Sequence, residues 1–245
     1  MSTHCQQRRV VSLGLDLVVT CVVEKASRMR ITWYGQTCCR LSERGGASIV
    51  TDPYPPDVGL TFSRPRADVV TVSYDDPECR YTSGVRGPSK VLDGPGEYEI
   101  GGVFVTGTAT FADNKRGASR GLNTVFTFEF DGLTVCHLGR LGHVPTQSQV
   151  ENLGTVNILL VPVGGGGSLS SSRASEVISL FEPGIVIPMY YKIPGLKLKL
   201  GTLDRFLKEM GLENVDTQDE LNVGRTDLSE ETQVIVLEPK LRNGE

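Results

Sequence analysis

The residues of this chain best equipped for chemistry fall in three short stretches. The first, Tyr74-Asp75-Asp76-Pro77-Glu78-Cys79, places three carboxylates and a thiol in one loop directly after an apolar run. Carboxylate oxygens this close in sequence suit a hard cation such as Mg²⁺ or Ca²⁺. An arginine from elsewhere in the chain would relieve their mutual repulsion equally well without any ion, and a solvated polar loop is the third reading. Cys79 has no histidine beside it to act as a base, so it reads as an ordinary thiol rather than a nucleophile. The second stretch, CHLGRLGH, holds His137, Arg140 and His143. Histidines without partners at ligand spacing read first as hydrogen-bonded residues at a strand end, with substrate contact or a new metal site as the functional alternative. The third, Gly164–Gly167, runs into a serine-rich helix start. Its amides could meet an anion, but no lysine follows in the phosphate-loop pattern, which leaves a tight strand-to-helix turn as the better reading.

Composition narrows the field. The 245 residues carry 25 Lys and Arg against 29 Asp and Glu, a net charge of −4, which argues against a general nucleic-acid surface. Only three histidines are present, too few for a dinuclear zinc site built mainly from imidazoles. Six cysteines show no C-x-x-C pair, and free thiols in a reducing cytoplasm are the plain expectation. No stretch reaches the roughly 20 apolar residues of a membrane span. The apolar run Val10–Val23 follows Arg8 and Arg9, but Asp16 interrupts it and no small-x-small cleavage site follows. Residues 1–28 therefore read as an appendage, or as a start placed too far upstream, and residues 29–245 as one domain.

Those three stretches need elements to position them. Arg30–Tyr34, Ser48–Thr51, Asp68–Ser73, Lys90–Leu92, Tyr98–Ile100 and Val103–Thr106 read as short strands separated by turn residues. Asn123–Phe130 and Leu133–His137 flank Asp131-Gly132, a strong hairpin signal. Asn157–Val161 and Ile185–Pro188 are continuous apolar runs, as in strands covered on both faces. Ser172–Phe181 and Leu203–Met210 carry apolar residues at helical spacing, and Gln233–Leu237 reads as a closing strand. A strand-rich first half and an alternating strand–helix second half, with no linker between, predict one α/β domain of stacked sheets with outer helices.

The blocks MRITWYGQTCCRL, SIVTDP and ADVVTVS resemble the opening of metallo-β-lactamase-fold hydrolases, in the bacterial branch related to ascorbate-phosphate lactonases. GPGEYEIGGVFVTG, RGLNTVFTFEFDGLTVCHLGRLGH, NILLVPVGG and IVIPMYYK follow in the family's order, so the resemblance runs from Met29 to about Lys192. It implies a four-layer αββα sandwich of two mixed sheets, and hydrolysis by one or two zinc or manganese ions that lower the pKa of a bound water.

The ligand positions that the resemblance implies have all changed. Tyr74, Asp76, Glu78 and Cys79 stand where the family's His-x-His-x-Asp-His ligands are expected. Ala112 precedes Asp113 where a histidine precedes an aspartate, Arg140 replaces the bridging aspartate, Tyr190 replaces the final histidine, and Gln36 the histidine after the first glycine. Alanine offers no ligand atom, and arginine cannot shed its proton to make room for dications. The expectation is a degenerate site with no metal and no cofactor, in which Arg140 pairs with Asp76 or Glu78, and a protein that binds a small ligand or a protein partner without catalysis. Gln36, Asp75, Asp113, His137 and His143 are the candidate cleft contacts. The segment Tyr190–Leu200, with Lys192, Lys197 and Lys199 among apolar residues, reads as a flexible loop at the mouth of the cleft or as a ligand-facing edge. The alternative is a divergent phosphodiester or lactone hydrolase holding one cation on Asp76 and Glu78. Nucleic acid and membrane are not expected as partners, and an oligomer is left open.

Overall fold

A computed structural model describes residues 28–88, 90–213 and 215–242; the expected appendage lies outside them except for Arg28. The strands are β1 (Met29–Trp33), β2 (Cys39–Ser42), β3 (Ile49–Thr51), β4 (Val69–Thr71), β5 (Lys90–Leu92), β6 (Gly96–Ile100), β7 (Val103–Phe111), β8 (Leu122–Phe130) and β9 (Leu133–His137). Helix α1 (Gln147–Leu153), β10 (Ile158–Pro162), α2 (Ser171–Phe181), β11 (Ile185–Met189) and α3 (Leu203–Glu209) follow. The chain closes with β12 (Thr217–Gln218), β13 (Leu221–Val223), β14 (Gln233–Val234) and β15 (Val236–Leu237).

Two mixed sheets result. One runs β13-β1-β2-β3-β4-β5, and the other β14-β11-β10-β9-β8-β7-β6. Every residue of β10 and β11 is buried, as parallel strands covered on both faces require. Helix α2 buries Ala174, Val177, Ile178 and Phe181 on one stripe, and packs on β10 and on α3. The architecture is the expected sandwich of two mixed sheets with outer helices.

Two local readings change. The strand expected over Gln233–Leu237 is split at Ile235: β14 extends the larger sheet beside β11, whereas β15 pairs with β12. The Asp131-Gly132 turn does join β8 to β9, with Phe130 opposite Leu133, but only Gly132 has a positive φ. It is therefore not the type I′ turn that such a pair favours, which needs positive φ at both positions. Helix α1 was not anticipated, although its start is legible: Thr146 and Gln149 form a reciprocal capping box. Strands β2, β12 and β13 are short and weakly patterned, and nothing in the sequence marks them.

Candidate functional site

The ends of several strands converge on one buried side chain, Arg140. Its backbone is placed by Asn123, which is fully buried: Asn123 Oδ1 accepts from Arg140 N at 2.7 Å, while Asn123 Nδ2 donates to Thr110 Oγ1 and to the Leu138 carbonyl. The preceding residue, Gly139, has φ 59°, and a Cβ there would stand 2.3 Å from Ser73 Oγ, so the turn after β9 requires glycine. Ser73 is in turn held by Asp52, whose carboxylate accepts from Ser73 N at 2.7 Å and Ser73 Oγ at 2.6 Å.

From that anchored backbone the guanidinium reaches into an aromatic cleft. Its carbon lies 4.2 Å from the Tyr190 ring centroid and 5.5 Å from that of Tyr74. Its Nη1 stands 3.3 Å from Glu78 Oε2, and the side chain is about 10% exposed. Burial works against its charge, but Tyr190, Cys79 and Glu78 outweigh that effect and hold its pKa above the ordinary value. Tyr190 is itself fixed from the opposite sheet, donating its N–H to the Gln36 carbonyl at 3.0 Å. That carbonyl also accepts from Trp33 Nε1, and Gln36 adopts φ 49°. Its buried carboxamide finds no partner among the described residues.

The acidic loop divides its three carboxylates among three tasks. Asp75 is exposed and pairs with Arg80 at 2.6 Å. Asp76 caps the short 3₁₀ turn Pro77–Cys79, accepting from Glu78 N at 2.8 Å. Glu78 alone faces Arg140. The expected arginine–carboxylate pair is thus formed, with Glu78 as the partner. Cys79 is fully buried, and burial first, then Asp52, pushes its thiol well above the ordinary range, so it stays protonated.

The other sequence candidates lie apart from this cluster. Ala112 is buried against Gly142, where a Cβ would come within 2.2 Å of the Ala112 backbone. Asp113 organises its own loop. Burial pushes its carboxyl up, but the backbone N–H groups of Lys115, Ser119, Arg120 and Gly117 outweigh that and hold it at about 2. Its oxygens are therefore committed to the backbone. His137 sits beneath the cleft at 0% exposure, with Nε2 2.8 Å from the Thr37 carbonyl and 4.0 Å from Asp52 Oδ2. Desolvation lowers its pKa despite Asp52 and Thr37, so it is neutral and its Nε2–H donates to Thr37. His143 packs on Phe111, beside Asp113 in a separate cavity of about 340 Å³.

Asp52 and Asn123 were not singled out from the sequence. The signal for Asp52 was an Asp-Pro pair closing an apolar strand. For Asn123 there was a lone amide at the start of β8, which carries little information by itself.

A zinc or manganese ion does not fit this arrangement. The carboxylates that would ligate are already engaged: Glu78 faces the Arg140 guanidinium at 3.3 Å, and Asp76 accepts from Glu78 N as the cap of its 3₁₀ turn. Among the described residues no three His, Cys, Asp or Glu side chains come together to hold a metal.

Comparison with known proteins bears on this site. A family model described as "Beta-lactamase superfamily domain" matches residues 30–190. A UPF0173 metal-dependent hydrolase of Methanoregula boonei is 24% identical over 184 residues, covering 66% of this chain and 82% of that protein. A UPF0173 protein of Pyrococcus abyssi is 26% identical, with 66% and 83% covered. Such relatives include archaeal proteins, so the likeness is not confined to a bacterial branch. A Thermotoga maritima crystal structure, assigned as a Zn-dependent hydrolase of the metallo-β-lactamase superfamily, shares 38% identity at a TM-score of 0.70 and covers 85% of this chain and 98% of its own.

Proposed function

Because the chain belongs to the β-lactamase superfamily domain family, we propose that it is a member in which an arginine has replaced the hydrolytic metal centre, leaving a binding protein without metal-dependent catalysis. Its relatives carry the name metal-dependent hydrolase. The observation behind this reading is the position of Arg140, stacked 4.2 Å from Tyr190 and 3.3 Å from Glu78. A permanent cation there supplies the positive charge that a metal would supply, and it balances Glu78 without any ion. The alternative, a cation rebuilt on Asp76 and Glu78, loses support because the first caps a turn and the second is paired. Cys38, Cys39, Cys79 and Cys136 are buried and free, which favours work in a reducing compartment.

Metal analysis of the untagged full chain tests the proposal. The expected result is well below one equivalent of zinc, manganese, iron, magnesium or calcium, before and after incubation with each, and an unchanged melting temperature. A stoichiometric metal that raises the melting temperature would overturn it, since a tight ligand stabilises the folded state by mass action.

A further inference from the structure

Beside the Arg140 cluster lies a groove that the reading above leaves unused. The loop between β11 and α3, together with the first turn of α2 and one face of α3, lines two cavities of about 670 and 610 Å³ that share Gly201 and Arg205. Lys192, Lys197, Lys199, Arg205 and Lys208 border them, against one acid, Glu209. Among the described residues none of these five cations makes an ion pair. In a chain of net charge −4, five cations against one acid along one groove create a local field opposite in sign to the whole.

The groove is braced by its own backbone. Gly164 N donates to the Tyr190 carbonyl at 3.0 Å, Gly201 N to the Gly164 carbonyl at 2.8 Å, and Lys192 N to the Gly201 carbonyl at 2.8 Å. Lys197 N reaches the Val58 carbonyl at 2.9 Å, so the lysine-rich segment expected to be a flexible loop is tied at both ends. A Cβ on Gly164 would stand 2.4 Å from the Tyr190 carbonyl oxygen, so only glycine permits this closeness. Ser170, Ser171 and Ser172 border the larger cavity at the start of α2. Ser170 Oγ caps the Arg173 N–H and Ser171 Oγ donates to the Val163 carbonyl, which leaves the Ser172 hydroxyl and the N–H groups of Ser171 and Ser172 without a partner among the described residues. No acidic residue in that first turn neutralises the helix dipole. The groove also lies beyond the carboxyl ends of the parallel strands β10 and β11, where sheets of this kind receive ligands.

We propose that this groove binds a small, multiply phosphorylated molecule, with Arg205, common to both cavities, as its central anchor. A phosphate accepts at once from guanidinium, ammonium, hydroxyl and helix N-terminal amides, which is the donor set present. Lysines spaced along the second cavity suit a further phosphate of the same ligand. This inference does not depend on whether Arg140 has displaced a metal.

The test is calorimetric titration of the full chain with tripolyphosphate, compared with citrate and sulfate at equal ionic strength. Saturable binding is expected for tripolyphosphate, at least about tenfold tighter than for citrate, and weakening as salt is raised. Arg205→Ala should lose about tenfold in affinity, as should the exposed-loop double variant Lys197→Ala/Lys199→Ala, while Arg44→Ala, which removes an exposed cation away from the groove, should bind as the parent does. Equal heats for all three anions, an affinity unchanged in both groove variants, or saturable binding of an RNA oligonucleotide but not of tripolyphosphate would overturn the proposal.

Discussion

Arg140 lies over the Tyr190 ring with its guanidinium carbon 4.2 Å from the centroid, although one follows the end of β9 and the other the end of β11, with β10 between them. The contact joins a cation–π interaction to the ion pair with Glu78, and it closes the place where strand ends converge.

Truncating this side chain should destabilise the fold. Arg140→Ala removes the stacked cation and leaves a half-buried Glu78 unpaired, at a cost of about 2–4 kcal/mol. Glu78→Gln should cost less, about 1 kcal/mol, because the carboxylate is 30% exposed and the amide keeps a polar contact. Arg140→Asp should be the worst of the three, since it sets a new anion against Glu78, and it should not restore zinc binding while Tyr190, Ala112 and Gln36 remain. Urea melts with and without zinc check all three.

Loss of the β9 turn geometry should be equally visible. Gly139→Ala forces a side chain into φ 59° and to within 2.3 Å of Ser73 Oγ, which should cost about 2 kcal/mol or more. A variant as stable as the parent, measured by denaturant melts, would show that the turn after β9 does not require glycine.

Acid sensitivity should have a component from Asp113. Its folded pKa of about 2 lies below the ordinary 3.8. The carboxylate therefore stabilises the fold above about pH 4, and that contribution disappears as pH falls towards 2. Asp113→Asn should flatten the stability–pH curve in this window, measured by denaturant melts at successive pH values.

A second slope should lie at milder pH. His137 titrates below its ordinary 6.5 in the fold because burial disfavours the imidazolium. Once pH falls below about 6.5 the unfolded chain takes up a proton that the folded chain does not, so stability declines from there until the lower folded pKa is reached. His137→Gln should remove this slope, whatever it does to stability at neutral pH.

The strand-and-helix framework was largely legible in the amino-acid order. Lys90–Leu92 and Leu133–His137 were read to the residue, because turn signals bracket both and apolar runs mark the second. The chemistry at Arg140 was half legible. An arginine in CHLGRLGH and an acidic loop at Tyr74–Cys79 pointed to an ion pair, since local composition records charge. Which acid answers Arg140 was decided only in three dimensions. Glu78 lies 62 positions away, and its selection depends on the 3₁₀ turn that diverts Asp76 into capping. The same holds for Asp113, a candidate cleft contact from the sequence whose carboxylate is enclosed by four amides of its own loop. Asp52 and Asn123 gain their roles only from the strand order that brings Ser73 and Arg140 beside them. Periodicity and turn chemistry are local properties that a sequence carries on its face. Hydrogen-bond partnership between distant loops is set by sheet topology, which no window of the chain contains.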